Sequence, residues 1–128
     1  MKKRMLLVVT STCLILVLGF VVSHSSSQEV LDPLKLAPDT HKLVFENRFV
    51  RVIESRVPAG GEEPKHSHPH GLTVYLANFE SEVTTFPDGK SSKVRRQFGT
   101  AIWSEAIVHE VKNIGKVDGH ALRIELKL

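Results

Sequence analysis

Apolar and polar positions along most of this chain alternate in short runs broken by turn residues. The clearest run is the last, over residues 121–128. Leu122, Ile124, Leu126 and Leu128 fall on one face, and Arg123, Glu125 and Lys127 on the other. A period of two is the pattern of a strand. Comparable runs cover residues 42–45, 49–57, 72–79, 82–86, 93–98, 100–104 and 107–113. Asn47-Arg48, Pro58-Ala59-Gly60-Gly61, Pro87-Asp88-Gly89-Lys90 and the stretch from Gly115 to Gly119 separate them. Pro87 and Gly89 stand where a hairpin turn favours Pro and Gly. No segment beyond the N-terminal run has a helical period, and no internal repeat is present. Many short strands with close turns predict an all-β sandwich or barrel.

The N-terminus follows a different pattern. Lys2, Lys3 and Arg4 precede 18 uncharged, mostly apolar residues, 5–22, and the polar stretch Ser23-His24-Ser25-Ser26-Ser27-Gln28 comes next. Basic, apolar and polar segments in that order predict a secretory signal peptide over residues 1–25, with Ser23 and Ser25 at the small-residue positions before cleavage. An uncleaved membrane anchor through residues 5–22 is the alternative, because 18 apolar residues reach the lower limit of a span; Thr10, Ser11 and Thr12 dilute it. Residues 26–41 then form a linker or arm, interrupted by Pro33 and Pro38, and residues 42–128 form the β domain. The expected location is secreted or periplasmic, with membrane contact only if the signal is retained.

That division changes the charge picture. The whole chain carries 17 basic and 14 acidic residues, for a net charge of +3, and three of the basic residues lie in the signal. The remainder balances, which removes any basic excess that would point to nucleic acid. Cys13, the one cysteine, also lies in the signal. A metal site in the mature domain therefore has only nitrogen and oxygen ligands available.

Histidines supply the candidate chemistry. His66, His68 and His70 alternate within the stretch from Gly60 to His70, and alternate side chains on an extended segment point the same way. Imidazoles so placed can converge on one ion, although Pro69 can turn His70 aside. Neutral imidazole suits Fe, Mn, Zn, Ni and Cu. The competing reading is a solvated histidine loop. His109 lies on the 107–113 run, on a face shared with Ile107, Val111 and Asn113, where a packed, hydrogen-bonded histidine is the ordinary reading. The expected metal residues are His66, His68 and His109, with His70 as an optional fourth.

At these residues the sequence resembles the cupin family. Gly60, five residues, then His66-Ser67-His68 match its first motif, and Gly99, His109 and Asn113 match its second, across residues 42–128. The hairpin at Pro87-Asp88-Gly89 between the motifs is similar to that of small single-domain bacterial cupins. The resemblance implies a β-barrel or jelly roll of the RmlC-like kind, holding a divalent transition metal. The motifs are degenerate. The family's glutamate ligand should fall at Thr73 or Leu72, its first-motif glycine near Glu80, and its Pro-x-Gly turn at Glu105-Ala106-Ile107. The implied ligand set is thus reduced to His66, His68 and His109.

Other residues are read as structural. Tyr75 shares parity with Thr73 and is expected inside as a core aromatic. Phe98 and Trp103 are expected to pack, Glu62-Glu63 to solvate a loop, and His41 and His120 to lie on the surface. Arg95-Arg96 reads as a solvated strand with one inward-leaning position and not as an anion site. Glu105 is a nearby carboxylate of unassigned direction. Two functions follow from the resemblance: a metal-dependent enzyme, a dioxygenase or isomerase acting on a small molecule, or a non-catalytic domain that binds a metal or small ligand. A third, structural reading leaves the histidines residual in a domain that simply forms a homodimer through a sheet edge, as small cupins do.

Overall fold

The computed structural model describes residues 31–127, so the expected signal helix lies outside the described residues. Among those described, no helix is long and apolar enough to cross a membrane. The fold begins with one helical turn, α1 (Pro33–Leu36). Asp32 caps it, its Oδ1 accepting from the Leu34 amide at 3.1 Å, and Pro33 fills a first-turn position where no N–H is needed. Pro33 thus starts a helical turn inside the expected linker.

Among the described residues nine antiparallel strands follow: β1 (His41–Glu46), β2 (Val50–Val57), β3 (Glu62–His68), β4 (Gly71–Tyr75), β5 (Phe79–Phe86), β6 (Lys90–Arg96), β7 (Ala101–Ser104), β8 (Ile107–Asn113) and β9 (Gly119–Leu126). They form a five-stranded sheet ordered β1-β2-β9-β4-β7 and a four-stranded sheet ordered β3-β8-β5-β6. The single run expected over 72–79 is two strands, β4 and β5, that belong to different sheets. The segment carrying His66 and His68 is itself a strand, β3, paired with β8 so that His66 lies opposite His109.

One asparagine ties the two motif regions together. The Asn113 side-chain amide donates to the carbonyls of Val57 and Val117 at 3.0 and 2.8 Å, while its Oδ1 accepts from Gly115 at 3.0 Å. Its backbone carbonyl accepts from Gly60, and its N–H donates to Gly61. Gly60 turns the chain there with φ of 76°, a conformation that side-chain-bearing residues avoid. This clamp fixes where β3 begins relative to β8, and hence where the histidines meet.

The interior is mostly polar. Among the described residues, eight polar or charged side chains are buried against seven apolar ones, Pro33 included. β9 explains much of this. Its buried positions are Gly119, Ala121, Arg123 and Glu125, while Leu122, Ile124 and Leu126 are only partly covered on the outside. The outer face of the five-stranded sheet continues that apolar surface through Val50, Val52, Leu72 and Val74, which register places beside them. Two residues expected to pack do not: Phe98 and Trp103 are exposed. Trp103 instead donates its indole N–H to Glu105 Oε1 at 2.9 Å, which holds that carboxylate on the surface.

Candidate metal centre

The inner face of β3 delivers His66 and His68, and β8 delivers His109 from directly across the ladder. His66 Nε2 stands 3.1 Å from His68 Nε2 and 3.0 Å from His109 Nε2. His66 is fully buried. A fourth ring joins from β1. His41, expected on the surface, is buried, and one of its nitrogens lies within 4.8 Å of nitrogens of His66 and His68. Register accounts for this: His41 pairs with Ser55, whose face of β2 also carries the fully buried Ile53.

The far nitrogens are oriented by acceptors. His66 Nδ1 donates to the Pro64 carbonyl at 2.7 Å, and His68 Nδ1 donates to Glu125 Oε1 at 2.6 Å. Both hydrogens are therefore on Nδ1, and both Nε2 atoms present lone pairs. Burial pushes the His66 ring down to about 4. Burial, then the neighbouring rings, push His41 to about 3 and His109 to about 2. Burial also lowers His68, against the opposing pull of Glu125. At neutral pH the rings are uncharged, and no proton lies between the Nε2 atoms of His66 and His68. Two lone pairs facing each other at 3.1 Å repel unless a cation sits between them. Nitrogens each about 2.1 Å from one ion, at right angles to each other, lie about 3 Å apart. The observed spacing thus fits a divalent transition metal, and so does the neutral imidazole donor set.

Behind the histidines runs a line of charged groups. Glu125 Oε2 accepts from Arg51 Nε at 2.6 Å, and Arg51 Nη1 reaches Asp32 at 3.2 Å. Burial alone would raise the Glu125 carboxyl, but the hydrogen bonds from His68 and Arg51 hold it below its ordinary value. A carboxylate on the far side of a ligating histidine fixes its tautomer and raises its basicity. Glu63, expected to solvate a loop, is buried, accepts from the Ser55 hydroxyl at 2.6 Å and sits 3.5 Å from His41. Burial raises its carboxyl to about 7.

His70 does not join the cluster. The chain leaves the four-stranded sheet at His68 and enters the five-stranded sheet at Gly71. The strand parity that aligns His66 with His68 ends there, with Pro69 in the crossing. The His70 ring stacks on Trp103 instead, centroids 6.1 Å apart and 22° from parallel.

Beside the histidines the barrel holds a cavity of about 200 Å³. His41, His68 and His109 line it together with Thr73, Tyr75 and Arg123. Thr73, at the expected glutamate position, faces this cavity and accepts from Arg123 Nη1 at 3.1 Å. Tyr75 is buried as expected, with the Arg96 guanidinium 4.9 Å above its ring. His120 is half-buried and lies 2.8 Å from Glu54. His41, Glu63, Arg123 and Glu125 were not picked out as site residues by pattern. One signal for the last two was available: they share β9's inner parity with the small residues Gly119 and Ala121.

No protein-family model matches this sequence, and no curated protein matches it. Solved structures do. A cupin domain from Bordetella pertussis Tohama I superposes with a TM-score of 0.63 at 27% identity, over 69% of this chain and 92% of that one. An RmlC-like cupin family protein with a double-stranded β-helix fold from Methanocaldococcus jannaschii superposes with a TM-score of 0.54 at 15% identity, over 67% and 77% of the two chains. A double-stranded β-helix domain protein from Klebsiella pneumoniae gives 0.55 at 18% identity, over 67% and 74%.

Proposed function

We propose that this chain, whose fold is the RmlC-like cupin double-stranded β-helix, binds one divalent transition metal. His66, His68 and His109 are the ligands, with His41 as a fourth nitrogen. The observation that carries the proposal is that His66 Nε2 meets the Nε2 atoms of both His68 and His109, at 3.1 and 3.0 Å, and that His41, His66 and His68 each offer a nitrogen within 4.8 Å of the other two, while the Nδ1 atoms of His66 and His68 are committed to acceptors. Fe, Mn, Zn, Ni and Cu all suit such donors. When bound, the metal supplies Lewis acidity and, if redox-active, a route for electrons. The chain's part is to orient His68 through Glu125, to hold the rings neutral by burial, and to shape a small cavity against the ligands.

That cavity favours chemistry on a small molecule, of the dioxygenase or isomerase kind. The absence of a carboxylate at Thr73 favours the other reading, a binding domain without turnover. Elemental analysis of the purified full chain, before and after incubation with each metal, is the first test. One metal per chain is expected, and none after His109→Ala. His41→Ala should weaken binding without abolishing it. A protein that takes up no metal sinks the proposal, and unchanged stoichiometry in His109→Ala would reduce it to a site on β3 alone. Oxygen consumption with diketone, thiol and flavonoid substrates then separates enzyme from binding domain. We also propose export to the periplasm or medium, on the basic-apolar-polar order of residues 1–28. N-terminal sequencing of protein from the native cell tests it, with a start near Ser26 expected and a retained Met1 against it.

A further inference from the structure

We propose that the barrel cavity, which His41, His68 and His109 also line, is an anion site that takes a small organic carboxylate on Arg123. As a substrate site this rests on the metal reading above; as an anion site it does not.

Arg123 is a buried cation without a counter-ion. It is 5% exposed. Its Nη1 donates to Thr73 Oγ1 and Ser104 Oγ at 3.1 and 2.7 Å, and its Nη2 to the Pro69 carbonyl at 2.5 Å. All three partners are uncharged. Its Nε is buried with no partner, and among the described residues no carboxylate pairs with it. Glu125, the acidic neighbour on the same strand, is already divided between His68 and Arg51. Buried charges are ordinarily paired, because leaving one unpaired in a protein interior is costly. Burial accordingly pulls the Arg123 guanidinium below its ordinary value.

The rest of the wall fits the same ligand. Arg96, also lining the cavity, adds a second positive charge, held over Tyr75. Ser81 lines it too, and its buried hydroxyl has no partner. The one carboxyl among the lining residues is Glu63, whose Oε1 is already taken up by the Ser55 hydroxyl and the His41 ring. Valine and isoleucine side chains, Val57, Val83 and Ile107 among them, supply an apolar surface for a short carbon body. At about 200 Å³ the space lies below the roughly 300–1,000 Å³ of pockets for drug-sized ligands, which restricts the ligand to a few carbons. The missing motif glutamate has the same meaning. The protein places Thr73 and a guanidinium where a carboxylate is expected, and an incoming carboxylate restores the negative charge.

The test is calorimetric titration of the full chain, stripped of metal with EDTA, with propionate and pyruvate and with their neutral amides. At least one acid should bind about tenfold or more tightly than its amide, the worth of a charge-assisted contact. Acid and amide binding alike, or no acid binding at about 10 mM, overturns the proposal. Arg123→Met should lose the preference and Arg123→Lys should keep part of it. Where Arg123→Met fails to fold, Thr73→Glu decides: an internal counter-ion should raise the melting temperature and abolish acid binding, and wild-type acid affinity in this variant overturns the proposal. Zinc uptake measured on the same preparations keeps the two readings apart. Acid binding without zinc uptake overturns the metal centre alone, and zinc uptake without acid preference overturns the anion site alone.

Discussion

The histidine cluster and Arg123 pose opposite electrostatic problems within one barrel. Around His66, neutral rings face one another with lone pairs, and a carboxylate stands behind His68. Around Arg123, hydroxyls and a carbonyl surround a guanidinium, with no carboxylate paired to it. The first is short of a cation and the second of an anion. Arg123 and Glu125 sit two residues apart on the inner face of β9, so one strand serves both ends. A buried charge, or a cluster of facing lone pairs, signals function when its requirement goes unmet by its neighbours. Asn113, just as buried, is fully bonded and structural.

The comparison breaks most readily at its centre. His66→Ala removes the one ring whose Nε2 stands within 3.1 Å of both His68 and His109. Metal stoichiometry should fall from one to zero. Saturating zinc, which stabilises a binding protein by about 2.7 kcal/mol at a hundredfold excess over Kd, should no longer raise the melting temperature. Retained metal in this variant would mean that the cation deficit lies elsewhere. Glu125→Gln is the next largest. Glutamine still accepts from His68 but carries no charge, and loss of such a partner typically costs about 10- to 100-fold in metal affinity. Competition with a chromophoric chelator measures it. Equal affinity in wild type and variant would show that Glu125 serves Arg51 alone.

Strand β8 was legible because it obeys the usual rule. On β8, His109 shares its inner face with Ile107, Val111 and Asn113, so parity alone put the histidine inside. β9 disobeys the rule. Its leucines cover the outside of a broad apolar sheet face, and its charges line the site. Alternation reveals that a strand has two faces; it cannot say which one the barrel encloses when the interior is polar. His41 was invisible for another reason. Its strand, His41–Glu46, has a register shift between Leu43 and Phe45 and no clean alternation, so nothing in the pattern turned its first residue inward.

Asp32→Ala probes how far the histidine end extends. Asp32 both caps α1 and holds Arg51, which holds Glu125. Loss of the cap should cost about 1 kcal/mol of stability. The Asp32–Arg51 pair is partly exposed and so worth at most about 1 kcal/mol, which limits the loss of metal affinity to about fivefold. A fall as large as that of Glu125→Gln would make the whole line from Asp32 to His68 a single cooperative unit.

His70→Ala should have the smallest effect, and its value lies in that. In sequence His70 continues the spacing of His66 and His68, and a loop site built from all three would lose metal with it. In the fold, the switch of sheets between His68 and Gly71 carries its ring to Trp103. The stack sits at the surface end of the crossing, where Trp103 is about half exposed. Its loss should cost about 0.5–1 kcal/mol in thermal stability and blue-shift or brighten no more than the fluorescence of this one tryptophan. Metal stoichiometry should stay at one, with affinity within about twofold of wild type, because the His70 ring stacks on Trp103 apart from the cluster and well-separated sites act independently. Loss of the bound metal in His70→Ala would place the ion on the β3–β4 crossing, beside the Pro69 carbonyl that Arg123 holds, and not on the rings of β3 and β8.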